Sequence, residues 1–189
     1  MGLSDYCITD APLLSSKISA EVNMKNLYIM RHAKSDRRHF AGPDHERPLN
    51  RRGKRAAPRM GIELEGRLAE PEVVWLSTAE RVRQTFALLS EGWPGLASLP
   101  IHRDESLYTF DRDEVLTWLR QQDDAVATAL LIGHNPALTD LVNLLAGYTA
   151  IDNLPTAGFV HFSLNVAHWG DLEYGCGEIE TAILPRQLK

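Results

Sequence analysis

The sequence has few cysteines and no long apolar run. Two cysteines, Cys7 and Cys176, stand far apart among 189 residues. Neither sits in a CxxC or a metal-ligand spacing, so no disulfide framework is expected and a reducing compartment, the cytoplasm, is. No apolar stretch reaches the roughly 20 residues that span a bilayer, so no membrane association is expected. The N-terminus lacks a basic stretch followed by an apolar one, which speaks against a secretory leader. The seven histidines form no HExxH and no paired histidine–carboxylate spacing, so neither a metal nor a cofactor is expected. The segment PDHERP (43–48) mimics a ligand cluster but reads better as a charged loop at the rim of a pocket. Internal repeats and low-complexity segments are also lacking.

What is present fits a globular domain. Hydrophobic residues make up 44% and charged residues 24%, enough to build a core without staples. The length fits one domain. Residues 1–23 show no strong period, and Met24 directly precedes the first good strand. The folded domain is therefore expected over 24–189, with 1–23 as an N-terminal extension or an over-extended start. The net charge of −5 is uneven: residues 31–59 hold ten Lys/Arg against three acids, a local +7 that leaves −12 elsewhere. A basic zone in an acidic chain points to a focused anion site. The Arg-rich 47–59 segment lacks interleaved aromatics and the pI is near 5.8, so nucleic acid is not an expected partner. The sequence carries no signal for an oligomeric state.

Strand and helix signals alternate. Strands are expected at KNLYIM (25–30), EVVWLS (72–77), LPIHRD (99–104) and ATALLIG (127–133), then GFVHFSLNV (158–166) and EIETAIL (178–184). Between them lie helical patterns. The first follows Asn50, a plausible N-cap, with Pro58 expected to kink or delimit it. Others cover 79–92 and 111–121, and a last one covers 136–147, with proline in its first turn and glycine at its end. The alternation predicts an α/β fold, a three-layer α/β/α sandwich on a mostly parallel sheet. In such sheets ligands sit at the carboxyl ends of the strands. Those ends carry Arg31 and His32, then Ser77 with Arg81 one helical turn on, then Glu105, then His134. Arginine forks match phosphate oxygens bidentately. An imidazole can attack phosphorus when neutral, and its ordinary pKa of about 6.5 leaves it largely so at physiological pH. A second imidazole, if protonated, would donate to the anion.

The series RHAKS, RPLNRRG, STAERVRQT and IGHNPAL resembles the motif series of the histidine phosphatase superfamily, the phosphoglycerate mutase-like fold. The likeness runs from residue 25 to about residue 184. Compact length and the RHAKS form bring the chain nearest to the SixA-type phosphohistidine phosphatases. The resemblance implies that His32 is the nucleophile taking up the phosphoryl group and that Arg31, Arg81 and His134 form the phosphate pocket. Asn50 stands where the family often has a threonine, so its side chain is expected to face the phosphate too. Glu105, in DESLY, falls where many members carry the proton donor, or else pairs with a nearby arginine. Short inter-motif segments predict an open pocket, which admits a side chain on a protein surface. A phosphohistidine-bearing protein is therefore the expected substrate. A small phosphate ester remains an alternative, as does a catalytically silent phospho-ligand binding module. A phosphomutase is disfavoured because nothing builds a roof over two phosphates.

Overall fold

The computed structural model describes residues 24–188. The expected extension over 1–23 lies outside them.

Six strands form one sheet, β1 (Lys25–Arg31), β2 (Val73–Ser77), β3 (Ile101–Asp104), β4 (Thr128–Gly133), β5 (Phe159–Leu164) and β6 (Gly177–Ile183), in the order β3-β2-β4-β1-β5-β6. β1 runs parallel to β4, and β2 runs parallel to both β4 and β3. β5 lies antiparallel beside β1 and β6 antiparallel beside β5, with an irregularity at His161/Phe162. The sheet is thus mixed and mostly parallel.

Side chains alternate across a strand, so β1 feeds two cores. Leu27 and Ile29 join the core under α3 (Arg112–Leu119) and α4 (Ala137–Ala146). Tyr28 and Met30 join the core under α1 (Arg51–Glu65) and α2 (Glu80–Gly92). Strands covered on both faces read as continuous apolar runs, which is why LYIM and VVWL lack polar alternation. Among the described residues no helix is long and apolar enough to cross a membrane.

Pro58 does not delimit α1. Asn50 does cap it, accepting from the Gly53 N–H at 3.0 Å, yet the helix continues through Pro58 to Glu65. Packing outweighs the local cost of the missing N–H. α1 and α2 approach so closely that a Cβ on Gly61 would lie 2.2 Å from the Leu89 carbonyl oxygen, and one on Gly92 would lie 2.1 Å from that of Pro58. α4 ends as anticipated, with Gly147 in the left-handed region at φ 80°.

This arrangement brings the C-terminal ends of β1, β2, β3 and β4 to one edge of the sheet. α1 starts at the same edge: the Asn50 N–H donates to the Lys34 carbonyl at 2.9 Å, just beyond β1.

Candidate active site

His32 immediately follows β1, a strand with hydrogen-bonded neighbours on both sides. Its N–H donates to the Gly133 carbonyl at 3.1 Å, and the Ala157 N–H lies 3.1 and 3.2 Å from the carbonyls of Arg31 and His32. The ring is fixed as well. Nδ1 lies 2.7 Å from the Ala33 carbonyl oxygen, which can only accept. The proton is therefore assigned to Nδ1, and the lone pair to Nε2. The Ala33 N–H donates in turn to Thr85 Oγ1 at 2.9 Å, and that hydroxyl donates to the Arg81 carbonyl at 2.6 Å. The end of β1 is so tied to α2. His32 is only 6% exposed. Burial depresses its pKa most; the Ala33 bond raises it, and the charges of Arg81, Arg31 and Arg47 lower it further, to about 3. The imidazole is neutral at physiological pH.

Three guanidiniums act on this ring. Arg31 Nη1 donates to the Leu154 carbonyl at 2.8 Å. Arg81, on the first turn of α2, is 1% exposed, although an arginine in that position is more often solvated. Its Nη1 donates to the Asp44 carbonyl at 2.7 Å, and its Nη2 lies 3.1 Å from Asp44 Oδ2. Arg47 donates from Nη1 to Ser35 Oγ at 2.8 Å and from Nη2 to Asp44 Oδ1 at 2.6 Å. His134 stands after β4, its ring centroid 5.2 Å from that of His32. Its Nε2 lies 2.8 Å from Ser77 Oγ. Burial, followed by its cationic neighbours, pushes the His134 pKa down to about 2.

Arg31 Nε, Arg47 Nε, Arg81 Nε and His134 Nδ1 are buried and have no hydrogen-bond partner among the described residues. A buried donor left unpaired costs about 1–3 kcal/mol. Four such nitrogens around one neutral imidazole form a set suited to a group with several acceptor oxygens.

The edge of the sheet thus gathers Arg31, His32, Arg81 and His134. Asn50 and Glu105 have other partners. Asn50 Oδ1 accepts from the Gly53 N–H at 3.0 Å, and its Nδ2 donates to the Ser35 carbonyl at 3.4 Å. Glu105 follows β3 on the turn Glu105–Leu107. Its side chain is 72% exposed and lies 3.6 Å from His45 Nε2. It accepts from the Thr78 hydroxyl and not from an arginine.

Burial and the charges of Arg81 and Arg31 keep His134 neutral at physiological pH. The rings of Tyr108 and Phe110 lie 5.4 and 5.6 Å from that of His134, and Asp44 pairs with Arg81. Sequence reasoning missed Arg47, Ser77, Asp44 and Tyr108. Arg47 and Asp44 were visible only as charges in a basic zone, and Ser77 only as a strand end.

An α/β sheet with a neutral, tautomer-fixed imidazole among buried guanidiniums at its carboxyl edge defines the class of protein to which the chain is similar. The chain belongs to the histidine phosphatase superfamily (branch 1), whose family model matches residues 27–117. An uncharacterized protein of Mycobacterium tuberculosis (strain H37Rv) is 34% identical over 171 residues, covering 83% of this chain and all of that protein. The structure of the protein histidine phosphatase SixA complexed with tungstate is similar at 27% identity and a TM-score of 0.71, over 87% of this chain and 99% of that one. A mycobacterial glucosyl-3-phosphoglycerate phosphatase complexed with VO3 shares the fold, at 15% identity and a TM-score of 0.59, over 83% of this chain and 98% of that one.

Proposed function

We propose that the chain is a phosphohydrolase in which His32 takes up the phosphoryl group and passes it to water, and that its substrate is a phosphohistidine on a protein. The observation that carries this reading is the 2.7 Å contact of His32 Nδ1 with the Ala33 carbonyl, which leaves Nε2 with its lone pair among the buried nitrogens. Nε2 attacks phosphorus, the bond to the leaving group breaks, and the leaving group keeps the electron pair. Water then attacks the phosphohistidine, freeing orthophosphate and restoring the imidazole. Charge on the equatorial oxygens is met by Arg31, Arg47 and Arg81 and by His134 Nδ1. The unpaired nitrogens among them are Arg31 Nε, Arg47 Nε, Arg81 Nε and His134 Nδ1, and no metal is invoked to supply the charge.

The leaving group follows from Glu105. Its carboxylate is exposed and engaged with Thr78, a poor position from which to protonate an alkoxide. A departing imidazole has a pKa of about 6.5 and scarcely needs an acid. A small phosphate ester is the second reading. It rests on the same carboxylate, which follows β3 at the same edge of the sheet.

His32→Ala should bring turnover of p-nitrophenyl phosphate and of a phosphohistidyl protein to the background rate. Acid-labile label should be trapped on the wild type after rapid quenching. Undiminished turnover by the variant would remove the proposal. Faster hydrolysis of an alkyl phosphate than of the phosphohistidyl protein would favour the ester.

A further inference from the structure

Asp44 lies on the short turn Asp44–Glu46, set by Pro43, whose carbonyl accepts from the Glu46 N–H at 3.0 Å. Both of its carboxylate oxygens are engaged. Oδ1 accepts from Arg47 Nη2 at 2.6 Å. Oδ2 lies 3.1 Å from Arg81 Nη2 and accepts from the Tyr108 hydroxyl at 2.9 Å. The carboxylate side chain is 53% exposed, while the side chains of its two cations are 1% and 8% exposed. It is therefore a plug on the solvent side of Arg81 and Arg47, not a buried partner behind them. Two guanidiniums and a hydroxyl converging on two oxygens are also the donors that a phosphoryl group would take.

We propose that Asp44 is a specificity-determining residue of this pocket: an internal anion that competes with every incoming oxyanion for Arg47 and Arg81, so that weakly charged groups are refused and orthophosphate is not retained. The inference rests on the phosphohydrolase reading above and goes beyond it in assigning a carboxylate against the phosphate.

A role as proton donor is disfavoured by its ionisation. Partial burial pushes the Asp44 carboxyl up, but the Tyr108 hydroxyl, Arg81 and Arg47 outweigh that and hold it below the ordinary carboxylate range. A purely positioning role is disfavoured by what else holds the cations. Arg47 keeps Ser35 Oγ at 2.8 Å, and Arg81 keeps the Asp44 main-chain carbonyl at 2.7 Å, a contact that any side chain at position 44 preserves.

The test is calorimetric titration of tungstate and of orthophosphate into the full chain and into Asp44→Asn, a near-isosteric change that removes the charge and one acceptor oxygen. The variant should bind both anions at least about tenfold tighter, equivalent to ~1.4 kcal/mol. Orthophosphate should inhibit its turnover at correspondingly lower concentration. Equal or weaker binding by Asp44→Asn overturns the inference. Asp44→Ser removes the carboxylate and leaves every cationic donor, and provides a second arm should Asp44→Asn not fold: tightening by a few-fold supports the inference, and unchanged or weaker binding overturns it. If neither the wild type nor the variants bind an oxyanion, the phosphohydrolase reading falls as well, an outcome distinct from binding that is merely indifferent to position 44.

Discussion

His32 and His134 are held in opposite senses, and the difference assigns them different work. His32 has Nδ1 engaged by a backbone carbonyl and Nε2 available; His134 has Nε2 engaged by Ser77 Oγ and Nδ1 buried without a partner. Ser77 Oγ accepts from the Ala79 N–H at 3.4 Å, so its hydroxyl is assigned as the donor to Nε2, which places the His134 proton on Nδ1, where it can meet an oxyanion. Ser77→Ala leaves Nε2 buried without its partner and frees the tautomer. The expected cost is about 1–3 kcal/mol of stability, together with about a tenfold loss of kcat/KM. Urea denaturation and steady-state kinetics with p-nitrophenyl phosphate check the two parts. At this scale the sequence was legible where a residue type meets a strand end, as for Arg31, His32 and His134. Arg47 was not, because it reads like its exposed neighbours Arg51, Arg52, Arg55 and Arg59. It differs from them only in being buried against Ser35 and Asp44.

The elements were legible to within a few residues, because each writes its own burial into its period. β2, β4 and α4 lie within the stretches that the apolar pattern marked. Pro58 shows where local reasoning stopped short. Proline costs a helix interior about 3 kcal/mol or more, yet α1 runs on, since Ala57, Met60 and Leu64 bury one face against α2 and the sheet. The pairing depends on the missing side chains of Gly61 and Gly92. Gly92→Ala places a methyl 2.1 Å from the Pro58 carbonyl oxygen, a backbone atom that cannot swing aside. The two helices must then separate, and a loss of about 1–3 kcal/mol is expected, measurable as a lowered thermal midpoint. Because α2 carries Arg81, activity should fall at temperatures where the variant is still folded.

Acid stability belongs to the molecule as a whole. His32 and His134 have folded pKa values of about 3 and about 2, against about 6.5 in an unfolded chain. Between those limits the unfolded state binds protons that the folded state refuses. Stability from both rings is therefore complete above pH 6.5 and declines as the pH falls, by up to about 1.4 kcal/mol per pH unit for each. Asp36, Asp44, Asp104 and Asp124 have lowered pKa values, so their contribution is lost only in a separate window below about pH 3.9. Trp75, Trp93 and Trp169 are fully buried and report unfolding by fluorescence. Their urea midpoint should hold from pH 8 to 7 and then drop steadily toward pH 5. Turnover measured at low urea should not fall at pH 6.5 with the titration of an ordinary histidine, because His32 Nε2 keeps its lone pair throughout. A midpoint flat to pH 5 would show that the rings are not buried neutral.

The sequence by itself determined the α/β alternation, the two-faced burial of the strands and the presence of Arg31, His32 and His134 at strand ends. All of these are properties of a residue and its near neighbours, carried by periods of two and 3.6. Only the tertiary structure decided which cations face inward, which nitrogen of each imidazole is free, and that Asp44 meets Arg47 and Arg81 while Tyr108 and Phe110 lie against His134. Those outcomes depend on the strand order β3-β2-β4-β1-β5-β6. It brings Asp44 to Arg81 across 37 positions and Ser77 to His134 across 57, and no local pattern of hydrophobicity records a contact made over such separations.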